Sequence, residues 1–171
     1  MIQEDKLNIT GCYQCQKCSN GCPVAYAMDY KPHQVVQMIN LGMTSDLLKS
    51  ATIWLCASCY TCSTRCPNDV DVAGAMDWLR QKALAEQVVP AVKEVPIFHR
   101  AFLNSIRSTG RIHELLMMVR YKVGSKRYLD DMALGLKMFM KGKLKLVPSL
   151  VKNRKEIKAI FAKTNHERTR V

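Results

Sequence analysis

The sequence predicts a mainly α protein, with two cysteine loops held among short helices and a helical extension after them. Three observations carry this expectation. No segment alternates apolar and polar residues with period two for long enough to make a substantial strand. Apolar residues recur instead at three- and four-residue spacing in several places, the pattern of a helix with one buried face. All eight cysteines lie in two runs, Cys12, Cys15, Cys18, Cys22 and Cys56, Cys59, Cys62, Cys66, each followed at once by Pro23 or Pro67.

Residues 1–10 read as a lead-in strand or coil, and Gly11 permits the turn into the first run. The stretch from Val24 to Tyr30 carries too little pattern to assign. Pro32 suits a first helical position; Val35, Val36, Ile39 and Leu41 follow, and Gly42 stops the helix. A short helix over Ser45–Lys49 then leads to Thr52, Ile53, Trp54 and Leu55, which deliver the chain to Cys56. After Pro67, Asp69 or Asp71 can cap a helix in which Val72, Ala75, Met76, Leu79 and Ala83 repeat at helical spacing as far as Glu86.

Residues 87–96, with Pro90 and Pro96, form the expected joint. Beyond it, Pro96–Ser108 reads as a helix stopped at Gly110. Arg111–Tyr121 follows, with Ile112, Leu115, Leu116 and Val119 on one face and an end near Gly124. Tyr128–Met140 repeats the pattern through Leu129, Met132, Ala133, Leu136 and Met140. A basic helix over about residues 149–163 starts after Pro148, and residues 165–171 read as a frayed tail.

The apolar fraction of 48% excludes a wholly disordered chain. Residues 1–8 lack the basic start and apolar core of an export signal, and no run approaches the ~18 uninterrupted apolar residues of a membrane span. A cytoplasmic, reducing setting is therefore expected, where clustered thiols favour metal over disulfide. Charge is uneven: residues 1–90 hold 7 Lys/Arg and 8 Asp/Glu, and residues 91–171 hold 19 and 6, so the halves carry −1 and +13 of the net +12.

Both cysteine runs read C-x2-C-x2-C-x3-C-P, the spacing of cubane [4Fe-4S] sites, in which the fourth cysteine of one run ligates the cluster of the other. By that rule Cys12, Cys15, Cys18 and Cys66 hold one cluster, and Cys56, Cys59, Cys62 and Cys22 hold the second. The crossing staples the two runs together and makes folding depend on the clusters. Zinc is the bland alternative, but its tetrahedral site leaves a third cysteine two residues on without a use. Neither run has a histidine after a C-x-x-C pair, so covalent haem is excluded. Around the ligands, Lys17, Ser19, Asn20, Ser58, Thr61, Ser63, Thr64 and Arg65 are candidates for tuning potential, with Lys17 and Arg65 favoured because charge acts at a distance.

Two cubanes consume all eight thiols, which excludes thiol-disulfide exchange by this chain itself and leaves no catalytic residue to name. Neither a G-x-G-x-x-G nor a G-x-x-x-x-G-K-[ST] pattern occurs, and His33, His99, His113 and His166 are scattered. The basic, Met-rich second half reads either as solvated helix faces or as a docking surface for a partner protein. No nucleic acid is expected, because no binding motif occurs and aromatics do not interleave with the basic residues.

The sequence resembles the C subunits of heterodisulfide reductase, small iron-sulfur proteins of the α-helical ferredoxin type. The residues that carry this are GCYQCQKCSNGCPVAYAMDY from Gly11 to Tyr30, IWLCASCYTCSTRC from Ile53 to Cys66, and DVDVAGAMDWLR from Asp69 to Arg80. The resemblance implies an α-helical ferredoxin-like domain over residues 1–89 with two [4Fe-4S] clusters, and a basic, subunit-docking helical extension over 90–171. It also implies partners: a flavin-containing, iron-sulfur A-type protein that supplies electrons, and a B-type protein with CCG motifs that reduces the CoM-S-S-CoB disulfide or an analogue. No CCG pair occurs here, so the B function is not fused into this chain. A relay in a membrane-associated, quinone-linked oxidoreductase and a redox-sensing regulator that binds nucleic acid are the alternatives.

Overall fold

The computed structural model describes residues 7–126, 130, 132–142 and 151–168. Among these, every regular element is a helix and no strand occurs. The chain divides into two compact units, residues 1–95 and 96–171.

In the first unit a 3-10 turn, Ile9–Gly11, leads into the first run. The left-handed position of this turn is Asn8, with φ 48°, rather than Gly11 as the sequence suggests. Asparagine tolerates that region because its short polar side chain can bond locally. Helix α1 (Lys17–Asn20) lies within the first run, and a 3-10 turn covers Ala25–Ala27. Helix α2 (Pro32–Asn40) begins on the expected proline. It ends where Gly42, at φ 73°, lets the Gly42 and Met43 amides reach back to the carbonyls of Ile39 and Met38. Short helices α3 (Thr44–Lys49) and α4 (Thr52–Leu55) bring the chain to Cys56, and α5 (Thr61–Thr64) lies in the second run.

Helix α6 (Val72–Ala85) carries the expected apolar face: Val72, Ala75, Met76, Leu79 and Ala83 are all buried. Against it lie Val35, Val36 and Ile39 of α2, Leu47 and Leu48 of α3, and Ile53 and Trp54 of α4, which form one core. Val88, Val92 and Val95 also pack against this core, so the chain past α6 remains attached to the first unit.

The unit repeats itself. Each run places its third cysteine in a short helix, α1 or α5, and each is followed by a longer helix, α2 or α6. The serine after the third cysteine tethers that longer helix in both halves. Ser19 Oγ accepts from the His33 amide at 3.1 Å, and Ser63 Oγ accepts from the Ala73 amide at 2.9 Å. His33 and Ala73 are each the second residue of their helix, where amides lack a partner within the helix.

Of the two caps the sequence allows, Asp71 is the one used. Its Oδ1 accepts from the Gly74 amide at 2.9 Å and from Ser63 Oγ at 2.7 Å. Gly74 is needed there, since a Cβ would run into the Asp71 carboxylate. Asp71→Ala removes both acceptors and frees Ser63. It is expected to destabilise the loaded protein by about 1–2 kcal/mol, the upper part of the range for a lost cap, seen as a lower denaturation midpoint by circular dichroism.

The second unit contains most of α7 (Glu94–Thr109), with α8 (Glu114–Ser125), α9 (Met132–Met140) and α10 (Arg154–Arg168). Pro96 falls in the first turn of α7, where a missing N–H is tolerated, so the helix begins at Glu94, two residues before the expected start at Pro96. Helix α8 begins later than the sequence suggests because His113 caps it: Nδ1 accepts from the Leu116 amide at 3.2 Å, and the His113 amide donates to buried Ser105 Oγ at 3.1 Å. The helix runs through Gly124, whose bare Cα leaves room for Ile97; a Cβ would sit 2.8 Å from Ile97 Cγ2. Ile112 and Val119, expected on a buried face, are exposed. Helix α10 continues to Arg168, past the expected start of a frayed tail. The start of the helix expected over residues 149–163, and residues 128, 129 and 131 of the one expected over Tyr128–Met140, lie outside the described residues, as do 169–171 of the expected tail.

Candidate iron-sulfur centres

The two cysteine loops follow the same backbone path. In the first, Gln14 and Gln16 on either side of Cys15 have φ of 62° and 63°; in the second, Ser58 and Tyr60 on either side of Cys59 have φ of 49° and 60°. None of the four is glycine, so each holds a left-handed conformation that disfavours an L side chain by about 1–2 kcal/mol. The benefit is curvature. A chain that reverses at both flanks of its second cysteine wraps three thiols around one point.

Long-range contacts deliver the fourth cysteine to each loop. Asn68 Nδ2 donates to the Gly11 carbonyl at 2.6 Å, Asn8 Nδ2 donates to the Asn68 carbonyl at 2.8 Å, and the Asp71 amide donates to the Leu7 carbonyl at 3.0 Å. These bonds bring Cys66 and Pro67 against the start of the first run. In the opposite direction, Gly21 lies against Arg65, so closely that a Cβ there would sit 2.6 Å from the guanidinium. This contact brings Cys22 toward the second run.

The result is two recesses of about 360 Å³ each, counting the space at their open mouths. Cys12, Cys15, Cys18 and Cys66 line one, and Cys22, Cys56, Cys59 and Cys62 line the other. Among the described residues, no three His, Cys, Asp or Glu side chains come close enough together to hold a single metal ion. Zinc needs its sulfurs about 2.3 Å from one centre. Four thiols around an open recess suit a larger object, and the donor set fits two [4Fe-4S] clusters.

Cys15 and Cys59, the second cysteine of each run, are exposed, whereas Cys18 is buried and the others lie between. Burial pushes the Cys62 thiol up to about 11 and raises Cys56 and Cys18 as well. Cys59 moves the other way because the Thr61 hydroxyl and amide stabilise its thiolate. Without iron, these three thiols are therefore protonated at neutral pH, and iron must displace their protons to bind.

Several neighbours reach the ligand sulfurs or the loops that carry them. Gln14 Nε2 donates to Cys12 Sγ at 3.3 Å and to the His33 carbonyl at 3.2 Å. The Val70 amide donates to Cys66 Sγ at 3.4 Å. Arg80, paired with Asp77, donates to the Cys56 carbonyl at 3.2 Å and to Ser58 Oγ at 2.6 Å. Ser19 Oγ lies 2.7 Å from His33 Nδ1, and the imidazole is held below its usual range first by burial and then by Lys31.

Of the tuning candidates, Lys17 lines the first recess and Thr61 the second. Ser19 and Ser63 tether helices, Ser58 is engaged by Arg80, Thr64 Oγ1 donates to the Tyr60 carbonyl at 3.1 Å, and Arg65 lies on Gly21. Gln14, Asn68, Val70 and Arg80 were not predicted. Gln14 alone left a usable local signal, as a long amide set between two ligands; the others act through contacts that spacing does not encode.

Comparison with known proteins agrees with this geometry. The family described as 4Fe-4S dicluster domain matches residues 11–71. The chain is 33% identical over 125 residues to the iron-sulfur C subunit of the CoB–CoM heterodisulfide reductase of Methanopyrus kandleri, covering 71% of this chain and 62% of the relative. It is 40% identical over 109 residues to the second such C subunit, numbered 2, of Methanocaldococcus jannaschii, covering 63% and 58%. To the C subunit of the H(2):CoB-CoM heterodisulfide,ferredoxin reductase of Methanothermobacter marburgensis it is 29% identical over 117 residues, covering 66% and 60%. The chain thus spans about three fifths of the length of these relatives. Residues 11–71 thus match a 4Fe-4S dicluster domain, and the chain that carries them is similar to the iron-sulfur C subunits of heterodisulfide reductases.

Proposed function

We propose that this chain is the electron-transfer component of a heterodisulfide reductase-like complex. In this reading Cys12, Cys15, Cys18 and Cys66 ligate one [4Fe-4S] cluster and Cys22, Cys56, Cys59 and Cys62 the other. The supporting observation is the division of the eight cysteines into two recesses, four to each, with one exposed cysteine at each mouth. Such clusters, when bound, take up and give back electrons. The eight thiolates hold them, and the shared core of α2 and α6 fixes their separation. The exposed flanks at Cys15 and Cys59 allow donor and acceptor proteins to approach.

No cysteine is left over, so disulfide reduction belongs to a partner. Electrons would come from the flavin/iron-sulfur A-type protein and pass to the catalytic B-type protein, which cleaves CoM-S-S-CoB or an analogue. The extension over residues 90–171 would dock to those partners. Exposed Leu134, Leu136, Phe139 and Met140 on α9, beside Lys137 and Lys141, give it apolar and cationic surface for that purpose. Among the described residues, no helix is long and apolar enough to cross a membrane.

Anaerobic affinity purification of the full chain from its native host tests this reading. A flavoprotein and a CCG-motif protein should co-purify, with about eight iron and eight sulfide per copy of this chain. Recovery with membranes and a quinone-reactive protein, or with nucleic acid, would overturn it in favour of the alternatives above. Zinc without sulfide would remove its basis.

A further inference from the structure

The internal repeat allows the two recesses to be compared position by position, and they are not alike. Where the first has Lys17, His33 and Asn68, the second has Thr61, Ala73 and Val24 at the corresponding places. Met28 and Met76 of the second wall correspond to Val72 and Val36 of the first, so apolar residues back both recesses and the difference lies in the polar positions. Gln14 has Ser58 as its counterpart. The Gln14 amide reaches Cys12 Sγ, whereas the Ser58 hydroxyl is taken by Arg80, whose charge is itself paired with Asp77.

Backbone amides reach sulfur in both loops, from Ser19 and Val70 in the first and from Ser58, Thr61 and Ser63 in the second, so the two sites differ in kind through their side chains. The Thr61 hydroxyl lies 3.4 Å from Cys59 Sγ and gives the second loop one side-chain contact of its own. It supplies no charge.

Adding an electron makes a cluster and its thiolates more negative. Donors to sulfur, polar groups and nearby cations stabilise that state. We propose that the Gln14 amide, with Lys17 beside it, makes the Cys12/Cys15/Cys18/Cys66 site the better electron holder of the two. An electron added to the chain therefore rests in that site before the less polar one is reduced. Gln14 is the main contributor, because it touches the sulfur directly while Lys17 is exposed and screened by salt. This inference rests on the ligation proposed above.

The test is a redox titration of the loaded full-length protein, followed by electron paramagnetic resonance. Wild type should show two separate midpoints. Gln14→Leu, which removes the donor and keeps the bulk, should lower the upper midpoint and leave the lower one in place. The expected shift is about tenfold in the reduced-to-oxidised ratio at fixed potential, or about 59 mV for one electron. Gln14→Glu removes the donor and adds negative charge, so its shift should be larger in the same direction. Ser58→Ala, at the corresponding place in the second loop, should move neither midpoint comparably.

An unchanged upper midpoint in both Gln14 variants, at full iron content, would overturn the role of Gln14. So would a fall of the lower midpoint instead. Loss of iron from both variants at the first site would show that Gln14 supports the loop rather than the potential, which also overturns the proposal. Wild-type protein without about eight iron and eight sulfide would instead reject the two-cluster reading beneath it.

Discussion

Cys66→Ala is expected to halve the iron and sulfide content, from about eight of each to about four, and to spare the cluster held by Cys56, Cys59 and Cys62. This would be a counterintuitive loss. Cys66 is four residues from Cys62 and far along the chain from Cys12, yet it lines the recess of Cys12, Cys15 and Cys18. The Asn68 and Asn8 bonds to the start of the first run, together with the Val70 amide on Cys66 Sγ, hold it there. A cubane that loses one of four thiolates exposes an iron, and the three remaining ligands lie in a loop strained at Gln14 and Gln16. Cys22→Ala should give the converse result. Iron and sulfide analysis with electron paramagnetic resonance of the reduced variants distinguishes the surviving centres. Loss of the second-run cluster in Cys66→Ala would mean that each run holds its own cluster and that the proposed crossing is wrong.

The second large effect should follow removal of both clusters. Extraction with a chelator under reducing conditions is expected to unfold most of residues 7–95 in one transition, seen as loss of helical circular dichroism. Strain and topology both point this way. Four non-glycine residues sit in the left-handed region at about 1–2 kcal/mol each, and bonds from eight thiolates to the clusters would offset that cost. The loops also carry the tethers of α2 and α6 through Ser19 and Ser63, so their release frees the first turn of the two helices at the centre of the core. Retention of native helicity after complete loss of iron would show that the apolar core alone is sufficient.

Acid should promote the same transition. The Cys62 thiol lies at about 11 without iron, above its ordinary 9.0, and Cys56 and Cys18 are raised in the same sense. Each must lose a proton to ligate, so loading releases protons and unloading takes them up. Lowering the pH from 8 toward ~5 therefore favours the empty, protonated form, and the rate of iron release at fixed chelator should rise across that range. Faster release on raising the pH over the same interval would contradict this assignment of protons.

Much of this was readable before any coordinates. The proposed ligand set and its crossing come from the spacing rule, and three thiols two residues apart can reach one object only through a single tight loop. Helices α2 and α6 were legible for a similarly local reason: Pro32 and Asp71 mark their starts, and apolar residues at helical spacing mark the buried face. The second unit was less so. Its helices begin and end where side-chain caps such as His113 and close approaches such as Ile97 on Gly124 dictate, and those depend on packing.

By itself, then, the sequence determined the chemistry: eight thiols, two clusters to fit them, and no thiol left over for catalysis. Only the tertiary structure decided what surrounds each centre. Arg80 reaches the Cys56 carbonyl from 24 residues away, and Asn68 reaches Gly11 across 57. Ligand spacing is a property of a few consecutive bonds. The polarity of a wall is set by which helix faces turn toward it, and that follows from how the core packs.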